Sequence, residues 1–386
     1  MRGFFREMRA FFRKGDMLLL LLLLVTTAFG CLVIASTTNA TVTGPVRYLV
    51  VQIGAAMIGV LLYAIFSSVD AEFFSEHRRA LFLFNAFLLL LLVPFGTDNG
   101  TGNKSWLHFS FLPFNIQPAE ICKIAYILVT ASVMASHQQR ISSVPSILHT
   151  AFHLFFLVGL NYLLSRDAGV SLIFVFIFLG MTYAGGVNLL WFLLGAGASV
   201  PAGIFLWNRI LDPYQKNRIL ILFDPTIDPV GQKERYHTMR SLRSLTGGGM
   251  TGQGLFNGTR TQTSGALFAQ HTDYIFSAIG EELGYVGCAL TVTLLVLIVA
   301  RCIWVGNRSQ DYMRRLICYG AAAAMIFQVI SNVGMCIGVT PVIGLTLPFI
   351  SYGGSSIVSL YAMMGLVSGV YARPAPASHE RYIRPY

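Results

Sequence analysis

Ten apolar stretches, joined for the most part by short polar connections, constrain this chain more than any other feature. They run near residues 17–35, 46–66, 80–95, 117–136, 147–164, 168–184, 187–207, 284–303, 316–338 and 355–372. A helix of about 20 residues crosses a bilayer and satisfies its own backbone hydrogen bonds, so each stretch predicts a membrane-spanning helix. The composition agrees, with 55% hydrophobic and 11% charged residues. A soluble domain carries about 25% charged residues, so this chain cannot coat a water-soluble surface of its size. That excludes an ordinary cytosolic enzyme, a disordered chain and a disulfide scaffold. The expected fold is an all-α polytopic membrane protein, a single integral membrane domain over 1–386.

The net charge of +10 reports topology before it reports nucleic-acid binding, which is not expected. With the N-terminus in the cytoplasm, the inside segments hold Arg2, Arg6, Arg9, Arg13, Lys14, Arg78, Arg79, Arg140, Arg308, Arg314 and Arg315. Arg301 lies at an inner span end, and Arg373, Arg381 and Arg384 are in the tail. The short outside connections hold only Arg47, Lys104 and Arg166. An even number of spans puts both termini in the cytoplasm. The basic start followed by Leu18–Leu24 imitates a signal peptide, but the apolar run continues to about Ala35, which reads as an uncleaved first helix.

One connection is long. Residues 208–283, between spans seven and eight, form an extracytoplasmic loop on this topology. Loops of such length tend to be functional. Apolar patches such as Ile219–Phe223 suggest short amphipathic helices on the membrane surface. The run Gly247–Gly254 lacks a Walker ending and reads as glycine turns whose backbone N–H groups could meet a diphosphate. The six cysteines lie in apolar stretches without metal spacing and read as buried side chains.

Charges within spans are costly and mark function. Glu120 and Lys123, spaced i and i+3 after Gln117-Pro118, either pair structurally or form a polar site facing a cavity. Asp167 reads as a helix N-cap or a site residue, and Asp273 likewise, with the further capacity of a general base. Trp106 is an interfacial anchor or a face for a sugar or lipid headgroup. Asp70, Glu72 and Glu76 read as a solvated connection, and Glu281 and Glu282 as structural.

The last third carries a longer pattern. Asn332 to Ser356, with Pro341, Gly344, Pro348, Ser351-Tyr352-Gly353-Gly354 and Ser355 at fixed places, resembles the signature of the RodA/FtsW/SpoVE proteins, the SEDS family of shape, elongation, division and sporulation. His271-Thr272-Asp273-Tyr274-Ile275-Phe276 looks like the family's H-T-D-F-I-F run. Gln117-Pro118-Ala119-Glu120 with Lys123 is similar to its Q-P-S-E-x-x-K. Asp224-Pro225 and Asp228-Pro229 are similar to its x-P-x-x-D-P segment. The chain departs from the family at Ala266–Gln270, in place of Tyr-Leu-Pro-Glu, and at Arg166-Asp167-Ala168-Gly169, in place of Pro-Asp-Leu-Gly.

The resemblance implies a peptidoglycan glycosyltransferase that joins lipid II, a disaccharide-pentapeptide on undecaprenyl diphosphate, into glycan strands at the outer face of the bacterial plasma membrane. It also implies a class B penicillin-binding protein as partner. It makes Asp273 the catalytic residue. Trp106, Glu120, Lys123, Asp167, Arg218, His271, Thr272, Ser351, Gly353 and Ser355 are the substrate-binding candidates. Lys123, Arg218 or a divalent cation, Mg²⁺ or Mn²⁺, would meet the diphosphate, although no ligand cluster in the sequence requires a metal. The irregular Pro341–Ser356 stretch should pack beneath the long loop, close to Asp273. A lipid II flippase and a non-catalytic scaffold for the crosslinking enzyme are the alternatives. The short tails lean toward the RodA-like, cell-shape branch over the division branch.

Overall fold

The computed structural model describes residues 14–39, 44–97, 104–109, 115–211, 213–228 and 235–373. The basic start through Arg13, the tail beyond Arg373 and Pro229 lie outside the described residues. Eleven principal helices carry the fold. They are α1 (Met17–Thr37), α2 (Gly44–Ser68), α3 (Arg78–Leu90), α4 (Pro118–Ser136), α5 (Val144–Ser165), α6 (Ala168–Ala184), α7 (Leu189–Arg209), α8 (Tyr236–Gly248), α9 (Ile275–Arg308), α10 (Tyr312–Cys336) and α11 (Gly354–Ala372). Among the described residues nine helical stretches are long and apolar enough to cross a membrane, with α3 continuing through a turn to Phe95. Helix α6, also apolar, has 17 residues and so spans about 26 Å.

The helix boundaries follow local chemistry. Asp16 caps α1 by accepting from Leu19 N–H at 3.0 Å. Pro118 opens α4 at a position whose N–H has no intrahelical partner. Asn188 caps α7, and Asp311 caps α10. Helices α4 and α11 stand at the centre with nearly every side chain buried, whereas α7 has none buried and stands at the periphery. Helices α2 and α11 approach closely because glycines meet tyrosines, Gly59 against the Tyr361 side chain and Gly365 against the Tyr63 backbone.

Buried polar groups pin one end of the bundle. Asp16 accepts from the Arg301 guanidinium at 2.8 and 3.0 Å, and its backbone N–H donates to Ser368 Oγ. Arg314 donates to Asp70 at 3.0 Å and Glu72 at 3.3 Å. The reading of Asp70 and Glu72 as a merely solvated connection is thereby corrected: both are ion-pair partners of a buried arginine.

The eighth span begins earlier than the apolar pattern indicates. Helix α9 has 34 residues, broken at Gly284 with φ 65° and ψ −162°, so a helical stub precedes the span proper. The chain of the long loop crosses at that break. A Cβ on Gly284 would lie 2.4 Å from Gly252 N.

Within the loop a helix at Pro213–Leu220 precedes Ile221–Phe223, which turn. Helix α8 packs on α9 through Ser241 and Gly248 rather than lying apart on a surface. A two-stranded antiparallel pair, Gly96–Thr97 with Trp106–Leu107, closes the connection after α3.

Candidate functional site

The irregular segment between α10 and α11 is a strap across one end of the bundle. At its start Ile343 lies against Gly169 of α6, where a Cβ would come within 2.3 Å. Next comes Gly344, at φ 74°, where a built Cβ would lie 3.5 Å from Asp273 Oδ2. The strap then reaches α1, where Ile350 Cα lies 2.7 Å from a Cβ built on Gly30. It ends against α2, where Gln52 donates to Ser351 O at 3.0 Å and accepts from Gly353 N at 3.2 Å.

The His271–Asp273 segment is bonded to this strap along its length. Tyr352 N donates to His271 O at 2.8 Å, and Ser351 Oγ donates to Thr272 O at 2.6 Å. The fully buried Asn332 of α10 donates through its amide to Asp273 O at 2.8 Å and to Leu345 O at 2.7 Å. One side chain thus fixes the carboxylate's backbone to the strap beneath it. The strap packs under the long loop beside Asp273, as the sequence reading expects. Asn332 was missed as a site residue there. Its signal was available, because an asparagine within an apolar helix needs a partner.

Asp273 does not cap α9: the residue before the helix is Tyr274, and no side-chain cap bond forms. Burial raises the Asp273 carboxyl to about 6, and the negative charge of Asp167 adds to the rise. Asp167 is an N-cap, with Oδ1 accepting from Val170 N at 3.1 Å. Burial raises its pKa as well, with Glu120 contributing. Three carboxylates, Asp273, Asp167 and Glu120, therefore feel one another in series.

The cation within this acidic flank is Lys123, buried and 2.9 Å from Glu120, which also accepts from Ser359 Oγ at 2.9 Å. The two side chains form the ion pair that their i, i+3 spacing allows. Arg218 donates to Val342 O at 3.1 Å and so lies on the strap. Trp106 is half-buried on the small hairpin, next to Ser105, whose hydroxyl points to Asp167 Oδ2 at 3.5 Å. His271 stacks edge-on against Tyr48 with ring centroids 4.9 Å apart, and burial lowers its pKa.

Several candidates are committed to the protein itself. Ser351 Oγ both donates to Thr272 O and accepts from Leu347 N. Gly353 N bonds Gln52, and Ser355 Oγ accepts from Gln117 N at 3.1 Å. Through these bonds Ser351, Gly353 and Ser355 hold the strap to α2, to α4 and to the segment of Asp273. Thr272 Oγ1 likewise donates to Ala269 O at 3.2 Å.

The glycine run is bonded to the stub of α9: Gln253 N and Gly254 N donate to Glu281 O and Glu282 O at 3.0 and 2.9 Å. Glu281 and Glu282 are structural. Arg260 N and Thr261 N donate to the Glu281 carboxylate, and Thr261 Oγ1 and Gln262 Nε2 to that of Glu282. Among the described residues no three His, Cys, Asp or Glu side chains converge as a metal site.

Comparison with known proteins agrees with this geometry. The family model of the FtsW/RodA/SpoVE cell cycle proteins matches residues 16–374. The peptidoglycan glycosyltransferase MrdB of Escherichia coli K12 is 30% identical over 324 residues, 83% of this chain and 84% of that protein. The probable peptidoglycan glycosyltransferase FtsW of Thiomicrospira cyclica is 32% identical over 320 residues, 82% of this chain and 80% of that one. A solved structure described as the coordination of polymerization and crosslinking by a peptidoglycan synthase complex contains a chain that superposes with a TM-score of 0.77 at 28% identity. The match covers 92% of this chain and 97% of that one. The rod shape determining protein RodA of Thermus thermophilus gives a TM-score of 0.67 at 25% identity, over 92% and 96% of the two chains. The bundle of apolar helices, the strap under Asp273 and these matches lead to one conclusion: the chain belongs to the FtsW/RodA/SpoVE family of cell cycle proteins.

Proposed function

We infer that this protein is a peptidoglycan glycosyltransferase that polymerises lipid II into glycan strands at the outer face of the plasma membrane. The observation that carries the reading is the Asp273 carboxyl, raised to about 6 by burial and tied through its backbone to the strap by Asn332.

The reaction forms a bond from a sugar hydroxyl to the anomeric carbon of a lipid-diphosphate sugar. It breaks the bond from that carbon to the diphosphate. The hydroxyl loses a proton as it attacks, and Asp273 receives it. A carboxylate of pKa about 6 is still mostly ionised at pH 7, yet is a stronger base than an exposed aspartate. Asn332 holds its backbone in place, and the missing side chain of Gly344 leaves room beside its carboxylate. Asp167 keeps its basicity up, and Trp106 supplies a flat face near Asp167 for a sugar. Lipid tails stay in the bilayer while the sugars reach the site from the outer leaflet.

No step is assigned to a metal ion. A Mg²⁺ or Mn²⁺ would have to arrive with the diphosphate, held by one or two carboxylates and phosphate oxygens. The reading includes both termini in the cytoplasm and a class B penicillin-binding protein as partner in elongation or, second, division. The partner is supported by the resemblance to a chain from a peptidoglycan synthase complex.

Purified protein supplied with lipid II in detergent tests the activity, since detergent leaves no two sides for transport. Wild type forms polymer, and Asp273→Asn loses it by at least about a hundredfold. Unchanged polymer from Asp273→Asn would remove this residue from the role of base.

A further inference from the structure

Lys123 is held by Glu120 and Arg218 by the strap carbonyl of Val342. A cation without such an acceptor is better placed to take the charge leaving on the diphosphate. On the flank of Asp273 formed by α2, the strap ends in a cluster of three rings. Tyr48 lies 4.9 Å from His271 and 5.1 Å from Tyr352, and His271 lies 5.7 Å from Tyr352, centroid to centroid. All three rings are partly exposed, and His271 is two residues from Asp273. Arg47, next to Tyr48 in the first turn of α2, is exposed, and its charge reaches the Tyr352 phenol. Among the described residues no carboxylate pairs with it.

We propose that Arg47, Tyr48, His271 and Tyr352 form the subsite for the diphosphate-sugar headgroup of the donor lipid, with Arg47 on the diphosphate and the rings on the sugar. The inference rests on the glycosyltransferase reading and names a substrate site within it. A guanidinium presents parallel N–H donors that match phosphate oxygens. Tyrosine rings offer a flat apolar face with a polar rim, suited to a pyranose. The backbone bond from Tyr352 to His271 keeps this flank rigid relative to Asp273. The opposite flank carries Asp167 at the start of α6 and the Glu120–Lys123 ion pair of α4, so the two substrates have two chemically different sides on which to lie.

The probe is farnesyl diphosphate, a short water-soluble isoprenoid diphosphate, titrated calorimetrically into the full-length protein in detergent. Wild type binds it, and Arg47→Gln weakens binding about tenfold, the scale of one charge-assisted phosphate contact. Arg47→Lys, which keeps the charge and loses the fork, falls between. In polymerisation assays Arg47→Gln raises KM for lipid II by a similar factor. Tyr48→Leu raises KM for lipid II while leaving farnesyl diphosphate affinity in place, because that probe has no sugar. Asp273→Asn retains farnesyl diphosphate binding. Equal affinity in wild type and Arg47→Gln, or loss of binding in Asp273→Asn instead, overturns the subsite. Polymer from Asp273→Asn bears on the base alone, so the two readings fail separately.

Discussion

The chemistry at residue scale turns on one carboxylate held where it is costly. Asp273 has a folded pKa of about 6 against 3.8 for an ordinary aspartate. The folded state therefore binds the proton more tightly than the unfolded state. Between pH 3.8 and 6 stability falls as pH rises, and above pH 6 the full cost of burying the charge is present. Asp273→Asn removes that cost. The variant should unfold later than wild type at pH 8, by up to roughly 3 kcal/mol, and the gap should close below pH 4. Thermal unfolding in detergent across that range measures it, and a constant gap would contradict the burial. Asp167 supplies the second part of the shift. Asp167→Asn preserves a side-chain oxygen for the cap on Val170 and removes the negative charge, so the Asp273 pKa should fall. The acid limb of kcat/KM against pH, centred near 6 in wild type, should move to lower pH, and a movement to higher pH would reverse the assigned sign.

Among the elements, the spans were legible and the loop that completes the site was not. Helices announce themselves by length and apolarity, and the nine that are long enough to span were visible from those alone, as was the shorter α6. The strap was visible as a stretch rich in glycine and proline, because such backbone needs cover. The long loop gave less, since its order comes from contacts remote in sequence. Glu281 and Glu282 accept from N–H groups of residues 254–261, and Ser36 Oγ donates to Glu282 at 2.5 Å. No periodicity announces such bonds. The early start of α9 was hidden for the same reason, because Gly284 breaks the helix only where Met250–Gly252 crosses it. Gly284→Ala should expose the cost. A Cβ there adopts an unfavourable positive φ and meets Met250 O at 2.6 Å, so a loss of about 2–4 kcal/mol is expected. Limited proteolysis should then cut within 249–270, where wild type resists. Equal resistance in the two proteins would show that the crossing does not hold the loop.

At the scale of the whole molecule, the helices sort the polar groups to two ends. Asp16, at the start of α1, bonds Arg301 and Ser368 near the ends of α9 and α11, and Arg314 with Asp70 and Glu72 lies at that same end. The other end of α1 carries Ser36 and Thr37, which bond the long loop through Glu282 and Gln270. The arginine-rich end is the one that positive-inside bias assigns to the cytoplasm. The orientation proposed above puts Asp273, on the opposite end, at the outer face, where lipid-linked sugars would be displayed to it. Single cysteines test this directly. Ser264→Cys, exposed in the long loop, should react with a membrane-impermeant maleimide in intact cells, and Gln310→Cys, exposed between α9 and α10, only after permeabilisation. The parent protein reports the background from its own cysteines, none of which lies in an exposed position. The reverse pattern would put the carboxylate on the cytoplasmic side, and a polymerase working at the outer face would lose its base.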